Sequence, residues 1–362
     1  MPSCLLGIAI DCARAAKDTL PVALEFEARA ITGNQFFAST PTFGTLKIMH
    51  IALVGEALID FTGSGKMAFQ GHCGGSPLNS AVACARLGQP TAYLTQLSTD
   101  LFGEQLLQHM HANGIDTRFV QRSDAPSTVA FVERGLSTNR YAFYSRTSAD
   151  SGWSPEPLPA LPESCRFLHF GSISLLQDPA ASRISEFVAA NAGQRVIVFD
   201  PNVRLSLIAD LPAYRLRLQR WLRCTDLLKL SDEDVDALAP GMPHEDAALL
   251  WLQGGPRAVV ITRGGDGAVL YRNGHAPMPI AAPRVAVVDT IGAGDTFTAG
   301  LSVALLTQGV REAAGLERLA DAAWQQVLQF AATAAAINCT REGANPPTLA
   351  EVRSTLEKAG SL

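Results

Sequence analysis

Of 362 residues, 47% are hydrophobic and 17% charged, a balance that excludes a disordered chain and suits one large α/β domain or two smaller ones. A formal net charge of −5 leaves no basic footprint for nucleic acid or an anionic membrane, and no apolar run is long enough to span a bilayer, so a cytoplasmic protein without either partner is expected. The seven cysteines, Cys4, Cys12, Cys73, Cys84, Cys165, Cys224 and Cys339, are scattered with no C-x-x-C pair, which points to reduced thiols rather than a disulfide framework or a zinc site.

In chain order, the first 48 residues look foreign to the rest. They lack the basic start of a signal peptide, and four acids in MPSCLLGIAIDCARAAKDTLPVALEFEARA argue against a transit peptide. The expectation is a disordered appendage or a mis-assigned start, with one folded domain over 49–362. HIALVGEALIDF (50–61) reads as a first strand. TAYLTQL (91–97), RFLHFGSISL (166–175), RVIVFD (195–200), DLLKL (226–230) and AVVITRG (258–264) have the same composition. Between them lie helical patterns: SPLNSAVACARLG, FGEQLLQHMHANG and PAASRISEFVAANAG, stopped by Gly88, Gly114 and Gly193. This alternation predicts a mostly parallel sheet covered by helices on both faces. Residues 117–146 break the rhythm with TRFVQ, STVAFVE and NRYAFYSR, which alternate like half-buried antiparallel strands. Together with 61–72 they predict a small antiparallel lid over the ends of the parallel strands, where open α/β sheets bind ligands. WSPEPLPALPES (153–164) reads as a proline-rich return loop.

GSGKM (63–67) resembles part of a phosphate-binding loop, but the first glycine's place is held by Asp60 and Met67 follows the lysine, so it reads as a hairpin turn. No G-x-G-x-x-G opens a helix after a strand, which leaves a dinucleotide-dependent oxidoreductase without support. VDTIGAGDTF (288–297) is more informative. Gly292, Ala293 and Gly294 can turn tightly and leave amide N–H groups open at a helix start, a site for phosphate or developing negative charge, with Asp295 in the first turn beside it. A simple helix start with a favourable acid is the competing explanation. In GGSPLNSAVACARLG (74–88), Gly74 and Gly75 permit close backbone approach and Asn79 offers both donor and acceptor to a polyhydroxylated ligand. Asp60, ending the predicted first strand, could accept from neighbouring hydroxyls.

The order GEALID, GGSPLN, DPN, KLSDEDVDAL, ITRGGDGA and DTIGAGDTF resembles the ribokinase-like (PfkB) carbohydrate kinases over about 50–350, and among them the fructokinases. The resemblance implies a ribokinase-like fold with a β lid and an ATP-dependent transfer to a sugar's primary hydroxyl. It assigns Asp295 as the general base and Gly292, Ala293 and Gly294 as the anion hole. Asp60, Gly74, Gly75 and Asn79, with Asn202 and Arg204 of DPNVRLSL, would hold the sugar. Ser231, Thr262, Arg263, Gly264, Gly267 and Asn338 would border the nucleotide. Asp234, with Glu233 as a competing match, would act on Mg²⁺ through water, and Asp289 would bind a monovalent cation such as K⁺. Pairing of two copies through the lid is also implied. Fructokinases commonly read F-Y-R-x-x-S-A-D in the lid, whereas FYSRTSAD (143–150) displaces the arginine to Arg146, which on a strand would face away from the substrate. The expected reaction is phosphorylation of the fructose 6-OH. A kinase of ribose or 2-keto-3-deoxygluconate, and a catalytically silent sugar or nucleotide sensor, are the alternatives.

Overall fold

The computed structural model describes residues 48–65, 67–133 and 140–360; expectations for residues 1–47 and for Lys66 lie outside them. Among the described residues, thirteen strands fall into two sheets. The large one contains β1 (Ile51–Val54), β4 (Thr91–Ser98), β5 (Asp116–Ser123), β8 (Phe167–Gly171), β9 (Val196–Asp200), β10 (Leu227–Ser231), β11 (Ala258–Thr262), β12 (Ala268–Tyr271) and β13 (Met278–Ile280). Its order is β13-β12-β11-β10-β9-β8-β1-β4-β5, parallel from β11 to β5 and antiparallel at β12 and β13.

Alternation along the central strands sorts the core into two halves. Ile51, Leu53, Phe167, Val198 and Val260 pack toward α1 (Ser76–Arg86) and α2 (Leu101–Ala112). The same layer includes α7 (Ala293–Thr307), α8 (Ala314–Arg318), α9 (Asp321–Cys339) and α10 (Leu349–Lys358). Ala52, Val54, Leu168, Phe199 and Leu230 pack toward α3 (Ala180–Asn191), α4 (Leu211–Leu222), α5 (Asp232–Leu238) and α6 (His244–Leu252). The fold is ribokinase-like, and among the described residues no helix is long and apolar enough to cross a membrane.

The small sheet runs β3 (Ala68–Gly74), β2 (Leu58–Gly65), β6 (Thr128–Glu133), β7 (Arg140–Tyr144). Its outer pairs are antiparallel, while β2 and β6 run parallel. Two expectations are corrected here. HIALVGEALIDF is not one strand: the chain leaves the large sheet at Gly55, where the Tyr93 hydroxyl donates to the Glu56 carbonyl at 2.5 Å, and re-forms as lid strand β2. TRFVQ is not in the lid either. It forms β5, the edge of the large sheet, and its alternation reflects an edge strand half exposed to solvent. Arg146 lies in a turn beyond β7 and is exposed, so strand alternation does not govern it.

Candidate active site

The predicted site residues converge where the parallel strands end and α7 begins. Gly292 caps α7 with φ +74°, and a Cβ there would meet the Ala344 Cβ at 2.6 Å, so only glycine makes this turn without strain. No side chain caps the helix. The Ala293 N–H, expected in the anion hole, donates instead to the Thr290 carbonyl at 3.2 Å. The N–H groups of Gly294 and Asp295 meet no acceptor among the described residues, and they are the donors the helix start leaves open.

Asp295 is 6% exposed and is held by other elements. Ser76 donates to one carboxylate oxygen at 2.6 Å and Asn79 to the other at 2.8 Å, while Asn202 reaches Ser76 at 2.8 Å and Asp295 at 3.4 Å. Burial pushes the Asp295 carboxyl upward; the Ser76 hydrogen bond opposes this, the Asp200 charge adds to it, and Asn79 and Lys229 pull it back. Asn79 and Asn202, read as sugar ligands, therefore also orient the acid.

Asp60 lies on β2 across from His72, and its carboxylate comes so close to Gly74 that a Cβ there would sit 2.2 Å from Asp60 Oδ2. Gly74 is thus required by Asp60 itself, and Gly75 caps α1. Burial, reinforced by the Asp295 charge and opposed by Arg204, pushes the Asp60 carboxyl up to about 6. Arg204 is half-buried and also donates to the Asn202 and Val203 carbonyls at 3.3 and 3.2 Å. Asp60 opens on a cleft of about 230 Å³ lined also by Gln70, His72, Asp289, Ile291 and Glu342. Asp289 accepts from the Ile291 N–H at 3.1 Å and the Gly343 N–H at 3.1 Å, which ties the turn before α7 to the loop after α9.

On the nucleotide side, Ser231 and Thr262 are register neighbours at the ends of β10 and β11, and Arg263, Gly264 and Gly267 form the loop that follows. Asp234 is more constrained than its motif suggested. It closes a capping box with Ser231 at 2.8 Å and accepts from the Val203 N–H at 2.7 Å, so both oxygens are engaged and reach to a metal runs through water. Glu233, the competing match, is exposed. Asn338, assigned to the adenine side by the resemblance, also has a structural part in the turn before α7. It is 0% exposed and donates to the Ile291 carbonyl at 2.8 Å, holding the glycine turn from behind.

Three participants escaped the sequence reading. Ser76 sat unassigned inside GGSPLN, and Asp200 inside DPN. Lys229, 3% exposed and 3.0 Å from Asp200, carried a usable signal, a charge set between Leu228 and Leu230 inside an apolar run.

Residues 43–351 match the model of the pfkB family of carbohydrate kinases. The chain belongs to that family. It is 39% identical to a fructokinase of Rhizobium leguminosarum bv. trifolii over 70% of this chain and 79% of that protein. It is 31% identical to a 2-dehydro-3-deoxygluconokinase of Escherichia coli, with 72% and 90% covered. A crystal structure of a Xylella fastidiosa fructokinase with bound ATP superposes with a TM-score of 0.78 at 28% identity, covering 87% of this chain and all of that one. The protein is an ATP-dependent sugar kinase.

Proposed function

We propose that this kinase phosphorylates the 6-OH of fructose, with Asp295 as general base and the open amides at the start of α7 as the anion hole. The observation that carries the reading is the Asp295 carboxylate in the first turn of an uncapped helix, oriented by donors from α1 and the β9–α4 loop. Phosphoryl transfer needs mainly positioning and charge neutralisation, which this arrangement offers. Asp60 receives no hydrogen bond from the described residues, so its oxygens are available to neighbouring sugar hydroxyls, with Asn79, Asn202, Arg204 and the Gly74–Gly75 backbone around it.

A neutral sugar fits the cleft better than a sugar acid. Its lining carries Asp60, Asp289 and Glu342, against the single nearby guanidinium of Arg204, so a substrate carboxylate would meet mostly like charge. Ser231, Thr262, Arg263, Gly264 and Gly267 would border the nucleotide. Mg²⁺ would neutralise the ATP phosphates, with Asp234 reaching it through water, and Asp289 is the carboxylate suited to a monovalent cation. The domain would comprise 49–362 with its lid in β2, β3, β6 and β7. The lid face opposite Asp60 carries Phe61, Phe131, exposed Phe69 and exposed Tyr144 in ring contact, which supports pairing of two copies there.

The decisive experiment is a panel of fructose, ribose and 2-keto-3-deoxygluconate with coupled ADP detection. Fructose should give the highest kcat/KM; preference for the acid overturns the substrate assignment. Asp60→Asn sharpens it. Sugar KM should rise at least about tenfold with ATP KM unchanged. Because the folded state raises this carboxyl to about 6, its ionised form disfavours folding above that pH, so the same variant should melt about 2 °C higher at pH 7.5. A lowered melting temperature would contradict this account of Asp60.

A further inference from the structure

β10 lies beside β9 in parallel register, with Leu227 next to Val198 and Leu228 next to Phe199. The following residues, Lys229 and Asp200, therefore stand side by side. Their apolar neighbours Phe199, Leu228 and Leu230 all pack on the opposite side of the sheet, which turns both charges toward α7. Lys229 Nζ donates to Asp200 Oδ2 at 3.0 Å, and Thr298 of α7 donates to the same oxygen at 2.9 Å. Asp200 Oδ1 is buried with no partner among the described residues.

Such a pair is a poor device for stability. Desolvating both charges offsets most of their attraction, and apolar residues of similar volume often serve as well or better. Its orientation suggests another use. A Cβ on Gly294 would lie 3.0 Å from Lys229 Nζ, so the ammonium sits directly beneath the first turn of α7. Asp200 instead meets Thr298, one turn further along the same helix. The positive end of the pair thus lies under the open amides and the negative end behind it, parallel to the dipole of α7.

We propose that the buried Lys229–Asp200 pair is a positioning device for phosphoryl transfer, backing the Gly294–Asp295 amides with an oriented charge pair. Lys229 does not reach the cleft and acts through the turn. In a site closed to water, a fixed dipole aimed at developing negative charge lowers the barrier without reorganising. Burial alone would lower the Lys229 ammonium, but the Asp200, Asp234 and Asp295 carboxylates outweigh it and keep it charged. This inference rests on the reading of the α7 turn as the transfer site.

The test is the double variant K229M/D200N, which removes both charges at nearly constant shape, assayed beside Asp295→Asn. In the folded double variant kcat should fall about 10- to 100-fold, with sugar and nucleotide Kd within about threefold of the parent. A folded double variant that keeps kcat within about threefold, or loses only affinity, overturns the proposal. The single variants decide if the double does not fold. Asp295 faces the carboxylates of Asp60 from β2 and Asp200 from β9, and the ammonium of Lys229 from β10. The acid limb of the kcat–pH profile should move to lower pH in Asp200→Asn and to higher pH in Lys229→Met. Movement in one common direction, or none, refutes the assignment. Full turnover in Asp295→Asn would instead remove the underlying reading of the site.

Discussion

Helices α5 and α7 both follow a strand and both carry an aspartate as their third residue, Asp234 and Asp295. In α5 the preceding residue is Ser231, whose hydroxyl and amide bind Asp234 while Asp234 N–H binds Ser231 in return. That acid is spent on closing its own helix. In α7 the preceding residue is Gly292, which has no side chain to cap with, so the amides stay open and the acid is held from other elements, by Ser76 and Asn79. An acid at one helical position serves structure or chemistry according to the residue three places before it. A serine there satisfies the first turn locally, and a left-handed glycine leaves it for a ligand.

The largest expected effect comes from removing the acid proposed as the general base. Asp295→Asn should lower kcat by about 10²- to 10⁴-fold, with sugar Kd by calorimetry and the melting temperature little changed. Turnover close to that of the parent would place the base elsewhere. Closing the open turn is next. Gly292→Ala places a methyl 2.6 Å from the Ala344 Cβ at φ +74°, with a left-handed penalty of about 1–2 kcal/mol besides. Its kcat should drop about tenfold or more and its melting temperature by several degrees, roughly as that energy requires. A variant with parental turnover and stability would show that this turn tolerates a side chain and that its glycine is incidental.

How far these features were legible differs by element. The glycine turn, Asp295 and the Gly74–Asn79 cluster could be read because each is a short local pattern whose chemistry is carried by residue type. The parallel sheet was legible through its apolar runs. The break at Gly55 was not, since β2 opens with the apolar pair Leu58–Ile59 and so continues the run of β1 although it joins the other sheet. β5 was misplaced because an edge strand of the large sheet and a lid strand show the same half-buried alternation. The structural part of Asn338 was not legible, because the resemblance of its segment does not report side-chain direction, and here the side-chain amide turns inward to Ile291. The Lys229–Asp200 pair depends on the register of two strands 29 positions apart, which no local pattern reports.

The smallest effect should come from the acid that closes its own helix. Asp234→Ala removes the reciprocal bonds with Ser231 and strips the Val203 N–H of its acceptor. Loss of such a cap costs about 1–2 kcal/mol, or a few degrees in melting temperature for a domain of this size. Because both of its oxygens already serve the protein, kcat should fall by no more than about tenfold, well short of the Asp295→Asn loss. Val203 belongs to the β9–α4 loop that also carries Asn202, so part of that fall should appear as a raised sugar KM through the loosened loop. A loss of kcat equal to that of Asp295→Asn, at unchanged stability, would mean that the two helix starts are not divided between structure and chemistry, and that Asp234 acts on the transferring phosphate as directly as Asp295 is proposed to act on the sugar.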